Sequence, residues 1–161
     1  TLPGGGKHNR ETSGLDVQRW PLLLTKAPYR WQRALNYAER EHHVSGGFDF
    51  NADRDGLWLE GTAQAALVYR LLGREHDAQR LFATIAQQFS AGRWLYATRE
   101  ARITTGLSTS ADSGPADFYY YRRPHVGATA WAALAARCWN PFVGNPKTRF
   151  SQGIGVGSCS L

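Results

Sequence analysis

The spacing of apolar residues constrains this chain most. In 29–42, Trp31, Ala34, Leu35 and Ala38 fall on one helical stripe, with Arg30, Arg33, Glu39 and Arg40 largely off it, which predicts an amphipathic outer helix. In 57–72, by contrast, Ala63, Ala65, Ala66, Leu67, Val68, Leu71 and Leu72 cover nearly every side before Gly73. That pattern predicts a helix buried all round and stopped by glycine. In 75–89 the single stripe returns, as Ala78, Leu81, Phe82, Ile85 and Phe89. A further helix over 125–139 follows Pro124 and is apolar on most faces until Asn140-Pro141, so it reads as another inner one. At the start, 15–24 is a short or kinked helix, entered through a Ser13/Asp16 capping box and interrupted by Pro21. Inner and outer helices alternate, and the expected class is all-α. Two weak strand signals, WLYAT at 94–98 and DFYYY at 117–121, lie in the long link before the last helix.

Length and charge narrow the options. The chain has 161 residues, of which 42% are hydrophobic, enough for one domain with a core of its own. The expected organisation is a single partial domain over 1–161: a flexible start at 1–12, a helical portion at 13–142 and an irregular tail at 143–161. The chain begins at Thr1 and holds no methionine, which carries the expectation of a longer parent. The Gly-rich opening is not a signal peptide, and no segment reaches the roughly 20 apolar residues of a membrane span. The net charge of +6 is spread rather than gathered, so a mild preference for anionic partners is expected but not nucleic acid. Cys138 and Cys159 are either bridged or free. No zinc spacing, phosphate loop or serine elbow occurs, and no cofactor is expected.

Four ordered blocks then resemble a known group: LDVQRW at 15–20, DGLWLEGTAQ at 55–64, TTG at 104–106, and HVGATAW at 125–131 with Asn140-Pro141-Phe142. They resemble the C-terminal half of the six-hairpin glycosidase-like superfamily, over residues 13–142. The resemblance implies alternating inner and outer helical hairpins forming part of an (α/α)6 toroid, and glycoside hydrolases or lyases with a paired carboxylate. A complete toroid of this kind takes on the order of 300 residues. The chain would supply about half, with further hairpins coming from the same or an associated chain.

Within that frame Glu60, in the first turn of an inner helix beside Trp58, is the expected general acid, and Gln64 lies one turn on along the same face. Asp16, at the start of another inner helix, is the expected second carboxylate. His125, Arg122, Arg123, Tyr121, Trp20 and Trp58 are expected to hold sugar, since aromatic faces with polar edges suit pyranose rings. Asn51, Asp53, Asp55 and Gly56 follow the spacing of a calcium loop, but the twelfth place is Thr62 rather than a bidentate Glu. No metal is therefore expected; Asp53 and Asp55 turn the chain, with Asp55 as helix N-cap. The function that follows is a glycoside hydrolase-like protein acting on polysaccharide or oligosaccharide, compatible with a secreted or periplasmic location. A non-catalytic glycan-binding module is the first alternative. A helical-repeat interaction scaffold is weaker, because no self-similarity at about 34 residues is visible.

Overall fold

The structure is a computed structural model, and it describes residues 13–24, 31–109 and 118–144. The start at 1–12 and the tail from 145 lie outside the described residues. Five α-helices are present: α1 (Leu15–Arg19), α2 (Gln32–Glu41), α3 (Leu59–Leu71), α4 (Glu75–Ile85) and α5 (Val126–Ala136). Four short strands accompany them: β1 (His43–Val44), β2 (Gly47–Phe48), β3 (Arg102–Thr104) and β4 (Tyr119–Tyr121). They pair as two antiparallel ribbons, β1 with β2 and β3 with β4. With 47% of the described residues in helices and 15% in strands, the described fold is mixed, and the all-α class with its toroid of pure helical hairpins is overturned. The two ribbons lie in the connections between α2 and α3 and between α4 and α5.

The central element is α3, which packs against α4 and α5 and also touches α1 and β2. Every residue of it except Glu60 is buried, as its all-round apolar sequence requires. Its C-terminus closes at Gly73, whose φ of +72° suits glycine, while Arg74 N–H donates to Tyr69 O at 2.8 Å. Next, α4 buries Ala78, Leu81 and Ile85, but Phe89 lies beyond the helix and is exposed. Pro21 divides the first helix as its sequence suggests: α1 ends at Arg19 and a 3-10 turn, Trp20–Leu23, follows. Arg19 is fully buried, its guanidinium 4.0 Å from the centre of the Phe48 ring.

Two expectations fail through packing. In α5, Ala128 and Ala135 are buried, while Val126 is 69% exposed. Its apolar sequence therefore covers α3 on one side and leaves an open face on the other, and it is not an inner helix. The Ser13/Asp16 capping box is also absent. Gly14 is the N-cap of α1 without a side-chain bond, Ser13 Oγ lies 3.4 Å from His42 Nε2, and Asp16 Oδ1 accepts from Val17 N–H.

Connecting segments do the work that side-chain caps were expected to do. A helix start leaves backbone N–H groups without internal partners. Here Leu15 N–H donates to Phe50 O at 2.8 Å, Leu59 N–H to Ala97 O at 2.9 Å and His125 N–H to Leu95 O at 2.8 Å. Thr62 adds a side-chain link, accepting from Phe48 N–H and donating to Trp58 O. The starts of α1, α3 and α5 are thus held by segments 48–50 and 95–97.

Candidate functional site

Glu60 stands at the start of α3, where the helix comes out of the core. Its carboxylate Oε2 is 3.6 Å from His125 Nδ1, and the two side chains remain 17% and 30% exposed. Gln64, one turn along α3, donates from Nε2 to Glu60 Oε1 at 3.5 Å. Gly127 makes room for the carboxylate: a Cβ there would lie 2.3 Å from Glu60 Oε2. Burial pushes the Glu60 carboxyl above its ordinary value and the Asp16 charge pushes it the same way, while a hydrogen bond from the Trp131 side chain acts against both.

His125 is the N-cap of α5, its Nδ1 accepting from Ala128 N–H at 3.1 Å. That bond commits the Nδ1 lone pair and places the ring proton on Nε2. Glu60 Oε2 therefore faces an acceptor rather than a cation. Burial also depresses the His125 basicity, so burial shifts both groups toward their uncharged forms relative to the free side chains. A carboxyl shifted in this way can give a proton to an oxygen brought against it.

The aromatic surroundings differ from the sequence-based expectation. Trp58 is 2% exposed, so its ring is core and offers no open face to a ligand. Tyr120 covers it, stacked at 5.6 Å, and meets the His125 ring edge-on at 5.5 Å. Burial, with Glu60 and Asp16 adding to it, pushes the Tyr120 phenol up to about 12. Tyr121, expected at the site, is exposed on the opposite side of β4. Gln64 is wholly buried, which rules out the rim position expected of it and leaves it a positioning role through Glu60. Trp20 sits 6.2 Å from Phe142, which is 6.4 Å from Trp131, so an aromatic row leads away from Glu60. Arg122 and Arg123 are exposed just before His125.

Glu60, Gln64 and His125 are thus brought together, with Asp16 near enough for its charge to act on Glu60, while Trp58 and Tyr121 are not presented as expected. Tyr120 stands among the aromatics of the sequence expected near this rim, and Gly127, Trp131 and Phe142 fall in the blocks that carry the resemblance, but none of the last three was given a site role from the sequence. Gly127 and Trp131 are one helical turn apart, a spacing that would have placed both on one face.

A second acidic group lies in the 49–55 loop. Asp49, Asp53 and Asp55 each offer an oxygen, and these lie within 4.8 Å of one another, the one grouping among the described residues able to hold a metal ion. Asp49 Oδ1 accepts from Phe50 N–H, and burial, with its acidic neighbours, pushes its carboxyl up to about 8. Asp53 N–H donates to Asn51 Oδ1 and Asp55 N–H to Asp53 Oδ1, the turn chemistry expected of these residues. Asp55 does not cap α3: it accepts from Thr104 N–H, and the cap position belongs to Trp58.

Cys138 is disulfide-bonded; Cys159, the other cysteine of the chain, lies outside the described residues. Among the described residues no helix is long and apolar enough to cross a membrane. Comparison with family models, with curated proteins and with solved structures finds no match for this chain.

Proposed function

We propose that the chain acts on a polysaccharide or oligosaccharide by carboxylate acid/base chemistry, as a glycoside hydrolase-like protein. The observation that carries this reading is the Glu60 environment. A half-buried carboxyl is pushed above its ordinary value by burial and by the Asp16 charge, lies 3.6 Å from His125 Nδ1, and is still open to solvent. Glu60 would protonate the leaving glycosidic oxygen as the bond breaks, and Asp16 would serve as the second carboxylate toward water or the sugar. Gln64 and Gly127 fix where the Glu60 oxygens lie. The Trp20, Phe142 and Trp131 row supplies the apolar faces that sugar rings stack on. The resemblance to six-hairpin glycosidase-like proteins, carried by four short blocks, supports the substrate class.

Replacing Glu60 by Gln keeps the shape and removes the acid. The Glu60→Gln protein is expected to bind glycan as the parent does and to lose the release of reducing ends by a factor of about 100 or more. Equal turnover in both proteins overturns the catalytic role. No turnover by the parent on any bound glycan favours the alternative, a binding module that shares this surface without cleaving.

A further inference from the structure

We propose that the outward face of the β3–β4 ribbon is a subsite for the carboxylates of a uronate-containing polysaccharide, formed by Arg102, Tyr119, Tyr121 and Arg123. The proposal rests on the glycan reading above and adds the charge class of the ligand.

The alternation of side chains along a strand builds the face. Ile103 pairs with Tyr120; Ile103 is fully buried and Tyr120 lies on Trp58 and Phe50. The flanking pairs, Arg102 with Tyr121 and Thr104 with Tyr119, therefore point the other way. On that side the Arg102 guanidinium lies 4.8 Å from the Tyr119 ring centre, Arg123 lies 5.5 Å from that of Tyr121, and the two tyrosine rings are 6.2 Å apart. Two cations and two rings form a continuous row. Arg122, beside them, lies 4.5 Å over Tyr96.

Six of the other described arginines are held in ion pairs, whereas Arg19, Arg33, Arg93 and Arg137 are not. Arg40, Arg54, Arg70, Arg74, Arg80 and Arg99 each meet a carboxylate. Among the described residues, Arg102, Arg122 and Arg123 form no ion pair. A guanidinium stacked on a ring keeps its in-plane N–H edge free, and that planar fork matches a carboxylate in two parallel hydrogen bonds. Ring contact also fixes the side chain beforehand, so less freedom is lost on binding. Arg123 is two residues before His125 in the chain, and Tyr120, on the reverse of the ribbon, meets the His125 ring edge-on. The row itself lies on the other face of the ribbon, and a uronate polymer is favoured over other polyanions by the glycan reading above.

The test compares binding of polygalacturonate, its methyl-esterified form and a thymidine oligonucleotide by the full chain and three variants. Arg102→Gln/Arg123→Gln is expected to weaken polygalacturonate binding by about tenfold for each arginine removed and to flatten its salt dependence. Its binding of the esterified polymer stays unchanged. Arg102→Lys/Arg123→Lys, which keeps charge without the fork, recovers only part of the loss. Glu60→Gln binds as the parent does; if it also cleaves as the parent does, the catalytic reading fails while the subsite stands. Parental affinity for polygalacturonate in the double Gln variant overturns the subsite, as does tighter binding of the oligonucleotide than of polygalacturonate.

Discussion

Glu60 depends on what is missing at residue 127. Gly127→Ala puts a methyl group 2.3 Å from Glu60 Oε2, closer than any real contact, and Gly127 sits in α5 where the backbone has little room to shift. The carboxylate must turn away. Because the displaced atoms are the end of the Glu60 side chain and alanine favours a helix by about 1 kcal/mol over glycine, we expect little net change in stability by denaturant titration and an activity loss of about 100-fold from the misplaced acid. Asp49 tests a second buried carboxyl. Its folded value of about 8 against an ordinary 3.8 means that the folded state holds a proton which the unfolded state releases. Its contribution is fully present below about 4 and is lost as the pH rises toward about 8. In buffers free of divalent cations, the thermal midpoint of the parent should fall across that range and that of Asp49→Asn should fall less. Parallel curves contradict this assignment.

At the scale of elements, His125 has two separable duties. As the cap of α5 its Nδ1 accepts from Ala128 N–H. His125→Ala should cost about 1 kcal/mol of stability, and His125→Asn should restore most of it. If His125 also shapes the Glu60 environment, activity stays low in the Asn variant while stability returns; recovery of both would reduce His125 to a cap. The helices themselves were legible in the sequence because their periodicity spans several turns: α3 is apolar all round, α4 carries one stripe, and Pro21 marks a break. The ribbons were legible only in part: the weak DFYYY signal falls on β4 (Tyr119–Tyr121), but strands of two or three residues carry no period and β3 meets β4 across a long link. The Ser13/Asp16 box and the Asp55 cap failed for a related reason. Their sequence signals are local, while the donors they would satisfy are taken by distant carbonyls such as Phe50 O and Ala97 O.

In the whole molecule, one buried helix organises the rest, and the site forms where loop segments hold three helix starts together. Glu60 and Asp16 were legible as candidates because both open helices. Their neighbours were less so, since which of three consecutive tyrosines turns inward depends on the register of β4 against β3. The open face of α5 was hidden as well: composition shows that a helix is apolar, not how many sides find a partner. The central claim is that Glu60 acts as a proton donor, and the pH dependence of kcat/KM on a cleaved glycan tests it most directly. A raised carboxyl that works in its protonated form predicts a rate that falls as pH rises, with a midpoint above the ordinary 4.5, and that limb is lost together with turnover in Glu60→Gln. A rate that rises with pH through the same range, or a Glu60→Gln protein with the parental profile, contradicts it.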